Sequence, residues 1–355
     1  MQQRPLLRPW LEGAVGYRPG LKAATQDGRL ASNECPAPPA WLSARSVDTA
    51  DLDLHRYPDP EATALRTALG ELHGVDPDEV VVGNGSDELI MLLIQAYAAY
   101  TGSIVTATPG YSLYELCAGR LGARVERVPL IDWRHDLGAM ATADVDVAFI
   151  CNPHNPTGTV VRPEDLLSFI GESAARMIVI DEAYVDFAAE AGLDTVAEAV
   201  REPRVVVLRT FSKAHALAGV RVGYLVAHRD IAQTIARLRL PFSVNTLAQI
   251  TAANAVAHHT ETANAVGEIV HSRLRVEEML RRHGLEFVPS QANFILVLTP
   301  QSDLVVDHLA SHGIAVRPGR DLGVPDAIRL TIPSAAGLAR LDSALAELYG
   351  TVVPR

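Results

Sequence analysis

Four segments of the sequence combine residue types that could bind an anionic group or react with a carbonyl carbon. They are residues 83–88 (GNGSDE), 152–158 (NPHNPTG), 178–184 (IVIDEAY) and 208–215 (LRTFSKAH). In the first segment, glycines permit a tight turn, and a helix that begins there offers free backbone amides to a phosphate. Glu88 stands where the third glycine of a dinucleotide-binding GxGxxG motif would be, so that motif is absent. Taken alone, the segment is explained more simply as a turn before a helix.

The other three segments each follow an apolar run that is typical of a buried strand. Residues 152–158 contain two prolines, which predict a rigid loop at the end of the strand. Asp181 ends its strand, and a carboxylate buried there requires a cation or a protonated ring nitrogen as a partner. Lys213 has few charged neighbours, so desolvation and a cation such as Arg221 would lower its pKa and favour attack on a carbonyl. The hydroxyl groups of Thr210 and Ser212 could hold a phosphate together with Arg221. The simpler alternatives are a solvated aspartate and a surface lysine.

The elements that must position these residues follow an alternating pattern. After residue 58, short runs rich in Val and Ile alternate with helical segments of about a dozen residues, which predicts an α/β fold with a mostly parallel sheet. From about residue 245 a long helical stretch leads into a smaller α+β pattern. We predict an N-terminal arm with part of the small domain (1–50), a large domain (51–245) and a C-terminal small domain (246–355). All four segments would then lie at one edge of the large sheet, where such folds bind ligands.

A phosphate loop, a carboxylate, an Asn/Tyr pair and an isolated lysine are what pyridoxal 5′-phosphate requires of a protein. The sequence as a whole is similar to class I/II aminotransferases, closest to the histidinol-phosphate and aromatic aminotransferase branch. The matching motifs are 33–36 (NECP), 56–60 (RYPDP), 83–88, 109–111 (PGY), 152–158, 181–184 (DEAY), 210–214 (TFSKA) and 217–224 (LAGVRVGY). The resemblance implies an aspartate-aminotransferase-type fold, in which helices enclose a mostly parallel mixed sheet.

The resemblance also implies a role for each matching residue. Lys213 would bond the cofactor covalently and move the proton, Asp181 would pair with the ring nitrogen, and Asn155 and Tyr184 would bind the phenolic oxygen. Tyr111 would stack on the ring. The remaining cofactor residues would hold the phosphate: Gly85, Ser86, Asp87, Thr210, Ser212, Arg221 and, from the partner subunit of a homodimer, Tyr57.

Substrate recognition is implied for three further residues. Arg329 and Arg317 match arginines that face a carboxylate or a phosphate, and Tyr17 matches a tyrosine that closes over the substrate. Arg317 could equally be a surface residue at the end of a strand. The sequence departs from the family pattern near this pocket, at Cys35 and His215 among others. We therefore expect an amino donor such as histidinol phosphate or an aromatic amino acid, and a 2-oxo acid acceptor. A decarboxylase, cyclase or other lyase on the same scaffold is the alternative.

Composition limits the partners. The chain has 31 Lys and Arg against 42 Asp and Glu, a net charge of −11, which does not favour binding to nucleic acid or to an anionic membrane. Three scattered cysteines predict neither a disulfide framework nor a metal cluster. With no apolar stretch like a signal peptide's, these features lead us to expect a cytoplasmic enzyme.

Overall fold

Two β-sheets, one of seven strands and one of five, organise the protein. They are defined in a computed structural model that describes residues 7–21, 23, 25–38, 40–44, 52–53, 55–188 and 195–350. In chain order the strands are β1 (Arg29–Leu30), β2 (Val80–Gly83), β3 (Ser103–Thr108), β4 (Arg124–Pro129), β5 (Val147–Cys151), β6 (Met177–Asp181), β7 (Val205–Thr210), β8 (Gly223–Ala227), β9 (Glu286–Val288), β10 (Phe294–Leu298), β11 (Ala315–Pro318) and β12 (Ala327–Thr331).

The helices pack around these sheets. They are α1 (Ala40–Ala44), α2 (Thr63–His73), α3 (Ser86–Tyr97), α4 (Ser112–Leu121), α5 (Leu137–Ala141), α6 (Pro163–Glu172), α7 (Thr195–Arg201), α8 (Arg229–Leu238), α9 (Thr246–Ala257), α10 (His259–Arg282), α11 (Ser302–Ser311) and α12 (Ala335–Tyr349). Among the described residues, none of these helices is both long enough and apolar enough to span a bilayer.

The larger sheet has the order β2-β8-β7-β6-β5-β3-β4. Strand β8 runs antiparallel to both β2 and β7, and the other pairs are parallel. Every residue of β5 and β6 is buried, because helices cover both faces of the sheet. The predicted α/β fold with a mostly parallel mixed sheet is confirmed.

The smaller sheet has the order β1-β11-β12-β10-β9, so it combines the N-terminal arm with the C-terminal part of the chain. The arm contributes β1, which pairs in parallel with β11. Helix α9 supplies Ala248, Ala252 and Ala255 to the core of the larger sheet, whereas α10 supplies Val266 and Ile269 to that of the smaller one. The hydrophobic contacts thus change from one sheet to the other after residue 257, later than residue 245. The predicted boundary between residues 50 and 51 falls in 45–51, outside the described residues.

Candidate active site

A cavity of about 300 Å³ lies at the carboxyl ends of the central strands of the larger sheet. Strands β5, β6 and β7 are neighbours. Cys151 and Asp181 end their strands in register, and Leu208, two residues before the end of β7, is level with them. Because β8 is antiparallel to both of its neighbours, β2 runs parallel to β7, and the turn after β2 reaches the same edge. The sheet topology therefore brings together segments that are more than 100 residues apart.

Most of the predicted site residues line this cavity. They are Tyr17, Ser86, Asp87, Tyr111, Asn155, Asp181, Tyr184, Thr210, Ser212, Lys213, Arg221, Arg317 and Arg329. Gly85 lies at its edge, where it precedes α3. Tyr57 lies outside the cavity, with 80% of its surface exposed.

Asp181 is a buried carboxylate on the floor of the cavity. Burial raises its pKa to about 6, although two hydrogen bonds act in the opposite direction. The Tyr114 hydroxyl donates to Oδ2 at 2.6 Å, and the Ala183 backbone N–H donates to Oδ1 at 3.2 Å. A positively charged group opposite this carboxylate would stabilise its ionised form.

Lys213 is the amine of the site. Burial, and after it the positive charge of Arg329, lowers the Lys213 pKa to about 8. Its Nζ donates to the backbone oxygens of Ser32 and Asn33 at 3.1 and 3.2 Å. A much larger fraction of this amine is therefore uncharged near neutral pH than of an ordinary lysine, as attack on a carbonyl requires.

Asn155 and Tyr184 are both held by other polar side chains. Arg329 Nη1 donates to Asn155 Oδ1 at 2.6 Å, and Asn33 Nδ2 donates to the Tyr184 hydroxyl at 3.0 Å. Burial raises the pKa of Tyr184, so its hydroxyl keeps its proton. Both residues can therefore donate a hydrogen bond to an oxygen in the cavity, Asn155 through Nδ2 and Tyr184 through its hydroxyl.

The opposite end of the cavity is suited to a phosphate. Helix α3 begins at Ser86 with no side chain capping its N-terminus, so its first amides face the site. Arg221 reaches this point and donates to Ser212 Oγ at 3.3 Å and to Asp87 Oδ2 at 3.2 Å. The result is an anion site built from amides, hydroxyls and one guanidinium.

Two glycines make this close approach possible. Gly85 has φ +78°, a conformation that L side chains rarely adopt, and a Cβ there would lie 2.6 Å from Arg221 Nη2. Gly223 stands opposite Gly83 in the strand pair, and a Cβ on Gly223 would collide with the backbone N of Ser86. A side chain at either position would displace the helix terminus or the arginine.

Arg317 and Arg329 form the side of the cavity that the smaller sheet provides. They are directly opposite each other on β11 and β12, and both are buried. Arg317 Nη2 donates to the Arg18 backbone oxygen at 2.7 Å, and Arg329 Nη2 donates to that of Ala31 at 3.0 Å. Burial, and after it the charge of Arg317, lowers the pKa of Arg329. Arg317 has one acidic neighbour, Asp321, whose Oδ2 lies 4.0 Å from its Nε. Two close guanidinium groups with a single carboxylate beside them favour an anionic ligand.

Sequence reasoning missed two polar residues of the site. Tyr114 binds Asp181, and it stands in the first turn of α4, three residues after Tyr111, which directly precedes that helix, so the two rings lie close together. Asn33 binds Tyr184, and it is the first residue of the 33–36 motif, to which the sequence assigns no site role. For Tyr114 the helical spacing was an available signal. For Asn33 no local pattern predicts the contact, because its partner is 151 residues away.

The donor set fits pyridoxal 5′-phosphate. The cavity offers an anion site at one end, a buried carboxylate that a protonated ring nitrogen would stabilise, and an amine with a lowered pKa beside two donors for an oxygen. In addition, Arg329 Nε is buried with no hydrogen-bond partner among the described residues. Each group of the cofactor thus has a residue of matching chemistry in the cavity. The negative net charge of the chain does not prevent anion binding there, because the site depends on these local groups.

Comparison with known proteins agrees with this chemistry. The family described as "Aminotransferase class I and II" matches residues 27–348. An aromatic amino acid aminotransferase from Mycobacteroides abscessus is 38% identical, over 92% of this chain and 94% of that protein. A histidinol-phosphate aminotransferase from Akkermansia muciniphila is 37% identical, over 94% and 96%.

The fold comparison gives the same result. The crystal structure of histidinol-phosphate aminotransferase from Sinorhizobium meliloti in complex with pyridoxal 5′-phosphate superposes with a TM-score of 0.87 and 27% identity, over 98% of both chains. Together, the matched family, the relatives and the cavity show that this chain belongs to the class I and II aminotransferases and is a pyridoxal phosphate-dependent aminotransferase.

Proposed function

We propose that this aminotransferase takes its amino group from histidinol phosphate, or from a related amine or aromatic amino acid, and transfers it to a 2-oxo acid such as 2-oxoglutarate. The observation that carries the proposal is the pair of buried arginines, Arg317 and Arg329, on adjacent strands at the cavity. Relatives named for histidinol phosphate and for aromatic amino acids support the same two donor classes. Such a reaction belongs to amino-acid biosynthesis.

The two arginines favour a donor with a dianionic group. A guanidinium binds a phosphate through two parallel hydrogen bonds, and two guanidinium groups offset the two charges of a phosphate monoester. Arg329 already donates to Asn155 and Ala31, whereas Arg317 has one short bond, to the Arg18 backbone oxygen. We infer that Arg317 binds the phosphate of the donor, and that Arg329 binds a carboxylate when the other substrate enters.

The chain's own residues then divide the chemical work. Pyridoxal phosphate, when bound, supplies an aldehyde carbon and a ring that takes up electron density from the substrate. Lys213 would bond the cofactor and would carry the proton to and from the substrate's α-carbon, since burial lowers its pKa to about 8 and leaves a larger uncharged fraction than an ordinary lysine has. Asp181 would keep a proton on the ring nitrogen. Asn155 and Tyr184 would donate to the phenolic oxygen, and Tyr111 would pack against the ring.

The phosphate of the cofactor would be held by the residues at the N-terminus of α3 together with Thr210, Ser212 and Arg221. We further propose a cytoplasmic homodimer in which Tyr57 of each chain completes the phosphate site of the other. Tyr57 supports this because its ring lies in solvent, outside the cavity of its own chain.

A donor panel tests the substrate. The rates with histidinol phosphate, phenylalanine, tyrosine and histidine would be compared in the wild type and in Arg317→Ala. We expect kcat/KM for histidinol phosphate to be the highest, and to fall roughly 100-fold in Arg317→Ala because two charge-assisted hydrogen bonds are lost. The donors without a phosphate should change only a few-fold.

The matched control is Arg320→Ala, which removes an exposed arginine three residues later that pairs with Asp303. It should leave all donors unaffected. An equal loss with every donor in Arg317→Ala would contradict the assignment of the phosphate to Arg317. A wild type that prefers phenylalanine over histidinol phosphate would favour the aromatic alternative.

A further inference from the structure

Tyr57 is held from one side by an unusual aromatic contact. Its ring lies parallel to that of Phe242, with centroids 4.5 Å apart and an interplanar angle of 17°. Neither ring belongs to the hydrophobic core, because Tyr57 is 80% and Phe242 38% exposed. Phe242 also has φ +62°, which a phenylalanine rarely adopts. A strained backbone and a solvent-exposed ring pair persist where the surrounding structure fixes them, and such sites are often functional.

The loop that carries Phe242, residues 239–245 between α8 and α9, also fixes the backbone next to Tyr57. At the start of the loop, Arg239 donates to the Pro60 backbone oxygen. Just after the loop, Gln249 Nε2 donates to the Asp59 backbone oxygen at 2.8 Å. The Tyr-Pro-Asp-Pro segment is therefore held at both its side chain and its backbone by one short stretch of chain.

The same loop binds the phosphate loop of its own chain. Asn84 Nδ2 donates to the Ser243 backbone oxygen at 3.0 Å, and Ser243 Oγ donates to Glu88 Oε2 at 3.2 Å. Glu88 in turn accepts from the Asn84 backbone N–H at 2.6 Å. Loop 239–245 thus makes two kinds of contact. Through Ser243 it holds the turn and first helical turn beside the anion site of its own chain, and through Phe242 it holds an outward-facing tyrosine.

We propose that Phe242 is a positioning residue that acts on the partner subunit's active site, by holding Tyr57 in the orientation from which its hydroxyl reaches the cofactor phosphate bound there. The inference rests on the shared site of the proposed homodimer and adds a residue to it. An unsupported tyrosine with most of its surface in solvent would lose rotamer freedom on reaching across the interface. The stacked ring reduces that loss by fixing Tyr57 before the phosphate binds.

A positioning role for Phe242 differs from a purely structural role in which subunit's cofactor site the variant affects. In a homodimer, Phe242 of one chain would support the cofactor of the other chain, whereas Ser243 supports that of its own. Heterodimers with two different affinity tags can separate these cases. Lys213→Ala in one chain leaves a single site able to bind the cofactor covalently, and its affinity can be read from the absorbance of the lysine-bound cofactor.

The decisive comparison uses two heterodimers. In the first, wild type is paired with a Lys213→Ala/Phe242→Ala chain, so that the intact site receives an unsupported Tyr57. We expect the dissociation constant of pyridoxal phosphate at this intact site to rise about 2- to 10-fold, which is the effect expected from the loss of one aromatic pair. In the second, a Lys213→Ala chain is paired with a Phe242→Ala chain, and the intact site should bind the cofactor as the wild type does.

Three further variants complete the test. Phe242→Tyr keeps the ring and should restore wild-type affinity, whereas Leu240→Ala, which removes an exposed side chain of the same loop, should have no effect. Tyr57→Phe should weaken binding by at least as much as Phe242→Ala, because it removes the hydroxyl itself.

A loss of affinity in the second heterodimer, or in both heterodimers equally, would overturn the proposal, and so would unchanged affinity in the first. If Tyr57→Phe itself has no effect, the shared phosphate site of the proposed homodimer fails, and this inference fails with it. If Tyr57→Phe weakens binding while Phe242→Ala does not, only the role of Phe242 is wrong.

Discussion

The two sides of the cleft differ in where their side chains find support. On the side of the larger sheet, Lys213, Asp181 and Arg221 stand on or just beside neighbouring strands and are positioned by the sheet topology. On the side of the smaller sheet, Arg317 and Arg329 are held by backbone oxygens of the N-terminal arm, about 300 residues away in sequence. The backbone of the first side is thus set within one sheet, although the Lys213 amine also donates to two backbone oxygens of the arm. The second side exists only where both ends of the chain meet in the smaller sheet.

This difference separates two classes of variant. Changes on the cofactor side should affect all donors alike, since every donor reacts through the same group. Changes on the substrate side, such as Arg317→Ala, should discriminate between donors. The predictions below sharpen that separation.

The largest effect is expected for Lys213→Ala. Removing the amine eliminates the covalent bond to the cofactor and the proton carrier, and we expect kcat to fall roughly 10³- to 10⁴-fold with every donor. Borohydride reduction of the wild type should bleach its visible absorbance and attach the cofactor to Lys213, as peptide mass spectrometry would show. A Lys213→Ala protein that is still labelled by this treatment would refute the assignment.

Asp181→Asn should lower kcat roughly 10²- to 10³-fold with all donors, because an amide does not stabilise a positive charge on the ring nitrogen. The same change should stabilise the cofactor-free protein. The pKa of Asp181 in the folded protein, about 6, lies above the ordinary value of 3.8, so the folded state is disfavoured as the pH rises from 4 to 6.

At pH 7 the free energy of unfolding of Asp181→Asn should therefore be larger than that of the wild type by up to about 3 kcal/mol. The difference should vanish near pH 4. Urea unfolding of both proteins at the two pH values measures it. A variant that is inactive and also less stable at pH 7 would mean that Asp181 is a structural carboxylate.

The pH dependence of cofactor capture tests Lys213 further. Below a pKa of about 8 the amine is mostly protonated, so the rate of covalent bond formation should rise about tenfold per pH unit and level off above pH 8. Stopped-flow absorbance of the cofactor-free protein measures this rate. In Arg329→Met the plateau should begin at a higher pH, because a nearby positive charge is gone. A wild-type rate that keeps rising to pH 10 would show an unperturbed lysine.

The smallest effect is expected for Tyr114→Phe. Without this hydroxyl, Asp181 loses its 2.6 Å hydrogen bond and becomes easier to protonate, and a neutral carboxyl group attracts a charged ring nitrogen less. We expect cofactor affinity to fall about 3- to 10-fold, within the range of one ordinary hydrogen bond, because the bond acts on the cofactor only through Asp181. Titration with pyridoxal phosphate measures it. Unequal effects on different donors would place Tyr114 on the substrate side instead.

Much of the fold was predictable because its signals are local. The apolar runs that the sequence predicts to be buried strands before three of the four segments are β5, β6 and β7. The long helical stretch after residue 245 proves to be two helices that meet at His258. Helix α8 was not predicted, although its apolar side chains Ile231, Ala232 and Ile235 have the spacing of a helix face.

The site was predictable in the same uneven way. Lys213 and Asp181 follow apolar strands, so local sequence places both at the edge of a sheet. The contacts of Asn33 with Tyr184 and of Arg329 with Asn155 join residues 151 and 174 positions apart. These contacts depend on how the two sheets pack, and a single sequence carries no local pattern for that packing.

The register between β11 and β12 fixes which side chains stand next to each other at the cavity. Arg317 and Arg329 stand opposite each other, and their neighbours Val316, Ile328 and Leu330 are buried in the core of the smaller sheet. A slip of one residue in either strand would turn its arginine into that core, which the charge forbids. Side chains at opposed positions are about 5 Å apart at Cβ. The pairing therefore fixes the attachment points of the two cations side by side, and replacing one arginine would change the charge at that place without moving the other.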